Sequence, residues 1–496
     1  MTGETVIPSA ATTRSTSAEV SQAEIERVDR ALIDATLRAP VLFFFTTAQT
    51  WLLAASVLGF IASVKLVFPS FLGQWSFVTY GRVWPAFINT LVYGWACPAG
   101  IGAALWMIAR LCRVSLRSPA VPIISGVFWN LGVTVGVVSI LLGNMRPFEL
   151  LEFPRYSAIL LFVAYSLIAV WGVVMFRKRR AGHVYVSLWY LVGALFWFPW
   201  FYGAANLMVG SPHINGVVQA AVAAWYAHNL LGLFLSAIGL GAIYYLIPKV
   251  IGRSIFSYHL AALGFWSFAL FSGWTGMVRL TGGPVPAWMP TVSIAAMIMM
   301  LVPLATVTIN YAATMRGFTH MVYYSPTIRF TLFGAVAWSL SVLVGVVASL
   351  RSVDRVVHFT QFSVGQGQLL IYAFFSMVMF GSMYYIVPRL VGCEWLSATF
   401  IRLHFWMSAY GSGLLIVMLL IGGAVQGGSW LKPEYSPLEV VQQMTPYMIA
   451  RMIGAFMLIL GHVLFFLHYI AMLLRLGVPS GQPTLFDTIT EGGKKG

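Results

Sequence analysis

Histidine side chains are the first candidates for metal or proton chemistry in this chain, and most of them lie outside its apolar stretches. Nine histidines are present, and only His228 lies well inside such a stretch. His462 and His468 share another stretch but stand six residues apart, so they do not share one helix face as an i, i+3 or i, i+4 pair would. The remaining histidines fall near the ends of apolar stretches or in loops. Histidine spacing alone therefore predicts no metal site.

The cysteines offer no alternative site. Cys97, Cys112 and Cys393 are scattered without the spacing of a metal site or a disulfide. Free cysteine is among the most frequently buried residue types. We therefore interpret all three as packing residues.

Carboxylates are missing from the predicted membrane interior. All fourteen Asp and Glu residues are expected in tails or loops, among them Glu149, Glu152 and Asp354. Ionisable groups inside a membrane usually mark proton relays, ion paths or substrate sites. Their absence disfavours an ion-coupled transporter.

The segments that position these residues are long and apolar. Apolar residues make up 59% of the chain and charged residues 9%, against roughly 45–50% and about 25% in globular proteins. A bilayer crossing needs about 20 apolar residues. The composition predicts an all-α membrane protein with about twelve transmembrane helices. The predicted spans are 41–66, 84–109, 120–143, 157–176, 184–208, 216–247, 259–280, 289–313, 328–350, 365–390, 402–424 and 445–474.

The basic residues predict the orientation of these helices. The net charge is +15, but about 20 of the 29 Lys and Arg fall on one side of the membrane when the N-terminus is placed inside. The excess is thus a topology signal rather than a nucleic-acid surface, and part of it is suited to anionic lipid. We expect a multi-pass protein of a bacterial-type inner (cytoplasmic) membrane with both termini cytoplasmic.

Three segments follow from this pattern. Residues 1–40 form a polar, cytoplasmic N-terminal segment without the features of a signal peptide. Residues 41–475 form the twelve-helix transmembrane domain. Residues 476–496 are short, Gly-rich and predicted to be a flexible cytoplasmic tail.

The order of the spans and several local motifs resembles subunit I of cbb3-type haem-copper (cytochrome c) oxidases. The resemblance covers roughly residues 80–475 and implies that family's subunit I helix arrangement. It is carried by Gly81-Arg82-Val83-Trp84-Pro85 with Asn89, Gly182-His183-Val184-Tyr185-Val186, Trp225-Tyr226-Ala227-His228-Asn229, Tyr244-Tyr245-Leu246-Ile247-Pro248-Lys249, Tyr384-Tyr385-Ile386-Val387-Pro388-Arg389, His404-Phe405-Trp406, and Glu439-Val440-Val441 followed by Pro446-Tyr447 and Arg451.

The resemblance implies six metal-ligand histidines, and five of them are replaced here. His228 stands at the first copper-ligand position and is the one that remains. The low-spin haem position in the second span is Phe87, the two adjacent copper positions are Val278 and Arg279, the His-x-His positions are Gln366 and Gln368, and the family's tyrosine position is Ser272.

These replacements are chemically incompatible with the family's cofactors. Haem iron is held by His, Met, Cys or Tyr, which excludes Phe and a neutral Gln amide. Copper prefers imidazole or thiolate, and an arginine adds a fixed positive charge that repels the cation. The sequence therefore predicts that this chain binds neither haem nor copper in the family manner.

The same residues also have structural explanations. His228 is then a hydrogen-bonding group in a polar pocket, and Gln366 and Gln368 serve interhelical hydrogen bonds. Phe87 fills volume that haem occupies in the family. Arg279 reaches the interface from a span end. Arg451 stands where the family has a haem-propionate partner, but an arginine in a loop at a membrane boundary needs no such role.

Three functions follow. The first is a haem-free, non-catalytic homologue that serves as a structural or docking subunit of a respiratory membrane complex, with membrane lipid and other subunits, including a c-type cytochrome, as partners. The second is a catalytic cytochrome c oxidase or nitric oxide reductase subunit with haem b and copper on unrecognised ligands. The third is a membrane conduit for a small molecule.

Overall fold

Twelve long apolar helices are present in the part of the chain that the computed structural model describes. That part is residues 10–479 apart from 117 and 181, with side chains described from residue 28 onward. The helices, here called spans 1 to 12, are Val28–Val67, Tyr80–Cys112, Ala120–Leu142, Arg155–Arg177, Val186–Gly210, Val217–Ile251, Tyr258–Leu280, Trp288–Met315, Pro326–Ser349, Gln361–Val391, Ala398–Trp430 and Pro437–Leu473.

The all-α prediction is confirmed, and each predicted span overlaps one of these helices. The largest differences are at the starts of spans 1 and 12. Span 1 continues a helix that begins at Ala10, so the predicted boundary at residue 40 falls inside a continuous helix. Span 12 begins at Pro437 because Ser436 and Glu439 form a capping box there, eight residues before the apolar stretch starts.

Asp34 corrects the expectation that every carboxylate lies in a tail or loop. It lies in the helix of span 1, where one oxygen accepts a hydrogen bond from Trp106 Nε1 at 3.0 Å. Its other oxygen is 3.5 Å from Arg110 Nη1. The aspartate is thus tolerated inside this helix because span 2 supplies both a hydrogen-bond donor and a positive charge.

Spans 2, 6 and 10 form the interior of the bundle. In the most apolar window of each, 100%, 89% and 94% of the residues are buried, whereas at most 50% are buried in the other described spans. Glycines allow the close approach of these three helices. A Cβ at Gly239 would lie 2.4 Å from the Phe374 ring, and one at Gly100 would lie 3.2 Å from both Ile238 and Phe375. The central helices therefore pack in direct contact.

The same three spans each contain a π-helical segment. These segments are Thr90–Ala96, Asn229–Leu235 and Leu369–Ser376. Such widened turns occur mostly inside α-helices and frequently at functional sites. Their presence only in the buried spans, among the helices described, directs the search for a site to the centre of the bundle.

Spans 11 and 12 pack on the outside of span 10 through small residues. A Cβ at Gly454 would lie 2.7 Å from the carbonyl oxygen of Gly411, so only glycine allows this contact between helix backbones. Close backbone approach through small residues is typical of membrane helix pairs. Short helices connect or end the spans, at Ser76–Val78, Thr275–Leu280, Met321–Tyr324 and Arg351–Val357.

The end of the described chain is tied to the loop after span 10. The backbone N–H of Glu394 donates to the carbonyl oxygen of Val478 at 2.9 Å, and Cys393 pairs with Pro479. The rest of the predicted flexible tail, 480–496, lies outside the described residues. All three cysteines are buried and unbridged, in agreement with their interpretation as packing residues.

Candidate functional site

The predicted ligand positions lie in two places. His228, Ser272, Val278 and Arg279 lie where span 6 meets the end of span 7. Phe87 and Gln368 line a cleft beside spans 1 and 12. Gln366, on the same helix as Gln368, is half-buried and is not among the residues that line this cleft.

His228 ends the α-helical first part of span 6, directly before a π-helical segment. Its Nε2 is hydrogen-bonded to the hydroxyl of Thr275, which lies in the short helix that ends span 7. The same hydroxyl lies 2.8 Å from the carbonyl oxygen of Ser272, near the end of span 7. The imidazole of His228 is therefore held by a hydrogen bond between spans 6 and 7.

Glycines enclose the His228 ring closely. A Cβ at Gly232 would lie 2.7 Å from His228 Nε2, and one at Gly276 would lie 2.9 Å from His228 Cβ. The buried Ser272 hydroxyl donates to the carbonyl oxygen of Gly232 at 3.0 Å, which ties the end of span 7 to span 6. The space beside the imidazole is therefore occupied by these backbones.

Arg279 is paired with a carboxylate from another loop. Its Nη1 atom lies 2.5 Å from Oε2 of Glu149 in the loop between spans 3 and 4, and the two side chains are 40% and 57% exposed. Val278, beside it, is half-buried and supplies no donor atom.

The cleft beside Phe87 is small, with a cavity volume of about 20 Å³. The Phe87 ring lies against Gly59 of span 1, where a Cβ would be 2.7 Å from the ring, and its centroid is 5.5 Å from that of Trp84. Gln368 is 3% exposed, and its Oε1 atom has no hydrogen-bond partner. These residues offer a phenyl ring and a neutral amide where a six-coordinate haem needs two iron ligands. The donor set does not fit haem.

The expectation that Arg451 lies in a loop at a membrane boundary is wrong. Arg451 lies inside the helix Pro437–Leu473 and is 3% exposed. It lines the cleft together with Phe87 and Gln368. The burial of Arg451 could not be predicted from the sequence, because an arginine near the start of an apolar stretch is usually interpreted as a residue at the membrane boundary.

Three other histidines are more deeply buried than the sequence indicated. His404, His462 and His468 are at most 1% exposed. His462 Nδ1 is 2.7 Å from the hydroxyl of Ser56, which lines the cleft, and His404 Nδ1 is 2.9 Å from the hydroxyl of Tyr384. Across the described residues, no group of three or more His, Cys, Asp or Glu side chains is arranged to hold a metal ion. These histidines act as hydrogen-bonding residues of the core.

Glu152 is a buried carboxyl group in a loop. The sequence predicted the loop but did not identify Glu152 as a candidate site residue. It lies between spans 3 and 4, is 8% exposed, and accepts a hydrogen bond from Asn89 Nδ2 at 2.8 Å. Burial raises the pKa of Glu152 to about 7, although the bond from Asn89 opposes the shift. This carboxyl is therefore close to half-protonated at neutral pH.

The chain matches a known protein family over most of its length. The model of the family described as cytochrome c and quinol oxidase polypeptide I matches residues 39–457. The chain is 26% identical over 438 residues to the cbb3-type cytochrome c oxidase subunit CcoN1 of Stutzerimonas stutzeri, which covers 83% of this chain and 90% of that protein. It is 26% identical over 444 residues to a cytochrome c oxidase subunit 1 homolog of Azorhizobium caulinodans, covering 86% and 80%.

A solved structure shows the same arrangement of helices. The chain is similar to a subunit of a heme-copper terminal oxidase dimer, with a TM-score of 0.69 and 16% sequence identity. The similarity covers 92% of this chain and 86% of that one. The fold is therefore that of haem-copper oxidases.

Proposed function

The chain belongs to the cytochrome c and quinol oxidase polypeptide I family, and we propose that it is a haem-free, non-catalytic member that serves as a structural or docking subunit of a respiratory membrane complex. The observation that carries this proposal is the surroundings of His228, where Nε2 is hydrogen-bonded to the Thr275 hydroxyl and the positions Val278 and Arg279 supply no metal ligand. Phe87 and Gln368 extend the argument to haem, since neither side chain ligates iron.

The retained parts of the molecule are those that hold the helices together. Spans 2, 6 and 10 remain buried and in contact through Gly100 and Gly239. Most single substitutions in a protein core lower the free energy of unfolding by about 1 kcal/mol or more. We would not expect such close packing to persist in a protein without a function. We therefore propose that the scaffold itself is used, through its surface and its contacts with other subunits.

The proposed partners are the other subunits of the complex, including a c-type cytochrome, together with membrane lipid. The support is the family relationship, since relatives are named as subunits of cytochrome c oxidases. The chain is a multi-pass protein of the inner membrane, and the side on which its basic residues cluster supports cytoplasmic termini.

The catalytic alternative, a cytochrome c oxidase or nitric oxide reductase on other ligands, would require haem b and copper on donors outside the family positions. The conduit alternative is disfavoured by the packing of the centre. A Cβ at Gly334 would already lie 2.5 Å from Val378, and one at Gly239 would lie 2.4 Å from Phe374.

The proposal is tested by isolating the intact complex from its native membrane through a tag on this chain. We expect haem-bearing subunits to be retained with it, while the chain itself, separated without denaturing the haem, carries no redox centre. A complex in which this chain alone reduces oxygen or nitric oxide with an artificial electron donor would overturn the proposal.

A further inference from the structure

Phe359 is the most exposed of the large apolar side chains in the described part of the chain. It is 88% exposed and lies in the loop between spans 9 and 10. The neighbouring imidazole of His358 has its centroid 4.0 Å from that of the Phe359 ring. A single exposed apolar side chain is common on protein surfaces, but this one also has an unusual backbone conformation and closely packed neighbours.

The backbone of Phe359 lies in the left-handed region, with a φ of +57°. Bulky residues rarely adopt this conformation, because the Cβ atom crowds the following carbonyl oxygen. Leu150 has a similar φ of +61°, but its side chain is 1% exposed, so burial in the core offsets the strain there. Phe359 gains no such burial within the described residues. A partner that covers the ring would supply it.

The loop that carries Phe359 is packed against the backbone of span 11. A Cβ at Gly427 would lie 1.6 Å from the carbonyl oxygen of Val356, and one at Gly423 would lie 2.0 Å from the backbone nitrogen of Phe362. Span 11 therefore holds the backbone on both sides of Phe359. A ring presented on a fixed backbone loses little conformational entropy on binding, which favours association.

The loop lies over the end of an interior helix. Span 10 begins at Gln361, two residues after Phe359, and 94% of its most apolar window is buried. Nine spans separate the loop from the start of span 1, so it lies on the opposite side of the membrane. With the proposed cytoplasmic termini, that side is the outer one. We therefore expect Phe359 to meet water or another protein and not acyl chains.

Two arginines extend the exposed surface beside Phe359. Arg351 and Arg355 stand one turn apart in the short helix Arg351–Val357, and both are exposed. Within the described residues, no ion pair includes either of them. Asp354 of the same helix is 8% exposed and is 3.0 Å from Nδ1 of His358. The exposed side of this helix is therefore positive, which suits a negatively charged partner.

We infer that Phe359, Arg351 and Arg355 form a docking surface for an acidic, water-soluble domain of another subunit. The ring of Phe359 enters an apolar pocket of that domain, and the two guanidinium groups contact carboxylates around the pocket. Aromatic residues and arginine are enriched among the side chains that dominate the affinity of protein interfaces. This inference rests on the proposed function and specifies which face of the chain binds another subunit.

Cysteine labelling tests whether the docking surface is covered in the complex. All three native cysteines are buried, so Phe359→Cys introduces one exposed thiol. A charged maleimide should label it about tenfold or more slowly in the intact complex than in the full-length chain freed of other subunits, because labelling requires a dissociated state that is at most a tenth populated. Asn215→Cys, in the exposed loop between spans 5 and 6, should label equally in both.

Labelling of the free chain in phosphatidylglycerol nanodiscs separates a lipid from a protein partner. We expect Phe359→Cys to be labelled there as fast as in detergent. Slow labelling in nanodiscs without other subunits would assign the surface to anionic lipid and overturn the inference.

Rebinding of the subunits separated from the same complex measures the affinity of the docking surface. Phe359→Ala should weaken it by about thirtyfold, the loss that follows from truncating a dominant interface side chain. The double variant Arg351→Gln, Arg355→Gln should weaken binding at low ionic strength and reduce its dependence on salt. Arg402→Gln, exposed near the opposite end of span 11, is the matched control and should bind as the wild type does.

Phe359→Gly separates docking from folding. Glycine adopts a φ of +57° without strain, so the melting temperature of the free chain should stay the same or rise. Binding of the other subunits should fall as in Phe359→Ala. A side chain with a structural role alone would give the opposite pattern, a lower melting temperature with unchanged binding.

Two further results would overturn the inference. One is equal labelling of Phe359→Cys in the complex and in the free chain, and the other is unchanged rebinding in both Phe359→Ala and Phe359→Gly. Either result would leave the haem-free proposal intact. A chain that retains no other subunit, or that carries stoichiometric haem, would instead contradict the proposed function, so the two failures are distinguishable.

Discussion

The Nε2 atom of His228 is hydrogen-bonded to the hydroxyl of Thr275, which also lies 2.8 Å from the carbonyl oxygen of Ser272. Of the six histidine positions that the family resemblance implies, only this one is kept. Its imidazole links span 6 to the end of span 7.

Thr275→Val should destabilise the protein. The substitution removes the hydrogen-bond partner of His228 Nε2 and leaves a half-buried polar atom unsatisfied, which costs about 1–3 kcal/mol. Thermal unfolding in detergent, followed by circular dichroism, measures the loss. Thr134→Val is the control, because Thr134 is exposed and bonds only within its own helix. Equal effects of the two substitutions would contradict the assigned role of Thr275.

The double variant Phe87→His, Gln368→His should not acquire stoichiometric haem b. Both side chains line the same cleft, so two iron ligands would be present, but a cavity of about 20 Å³ has no room for a porphyrin. The measurement is the optical spectrum of the reduced protein after expression with sufficient haem. Phe87→Leu, Gln368→Asn serves as the control with altered packing and no ligand. Stoichiometric haem in the double variant would show instead that only the ligands have been lost.

The Arg279–Glu149 ion pair should contribute little to stability. Both side chains are substantially exposed, and such pairs are typically worth about 0–1 kcal/mol. A double-mutant cycle with Arg279→Gln and Glu149→Gln should therefore give a coupling free energy below about 1 kcal/mol. A coupling of several kcal/mol would show that the pair is a principal structural element of the outer loop.

Glu152 should make stability decrease as pH rises. Its pKa is raised in the folded state to about 7, from an ordinary value of 4.5, so the folded protein binds the extra proton between these values. Unfolding free energy should therefore fall from about pH 5 to pH 7 and level off above that, by up to about 3 kcal/mol at ~1.4 kcal/mol per pKa unit.

Glu152→Gln isolates this effect. The amide keeps an acceptor for Asn89 but cannot ionise, so the stability of the variant relative to the wild type should rise from about pH 5 to pH 7 and then stay constant. Glu434→Gln, in an exposed loop, should follow the wild type at every pH. If Glu152→Gln also follows the wild type throughout, the buried carboxyl does not titrate in this range.

The sequence predicted the helices well because a bilayer crossing depends mainly on length and hydropathy. It missed the start of span 12 because the capping box of Ser436 and Glu439 is a local hydrogen-bond pattern in polar sequence. The π-helical segments were also missed, since they depend on packing among spans 2, 6 and 10 and not on composition.

The site was predictable only as a set of positions. Comparison of motifs located Phe87, Gln368 and His228, and the structure puts the first two at one cleft. The partners of these residues come from distant parts of the chain, and therefore Thr275 and the ion pair of Arg279 with Glu149 could not be predicted. The depth of Arg451 was missed for the same reason, because its burial depends on the packing of span 12 against spans 1 and 2.

The haem and copper content of this chain tests the central claim most directly. The measurement combines the reduced-minus-oxidised optical spectrum and elemental analysis of the chain isolated natively from its complex, expressed per mole of chain. The proposed function predicts far less than one haem b and far less than one copper per chain. One or more haem b per chain, held in the wild-type sequence, would contradict it.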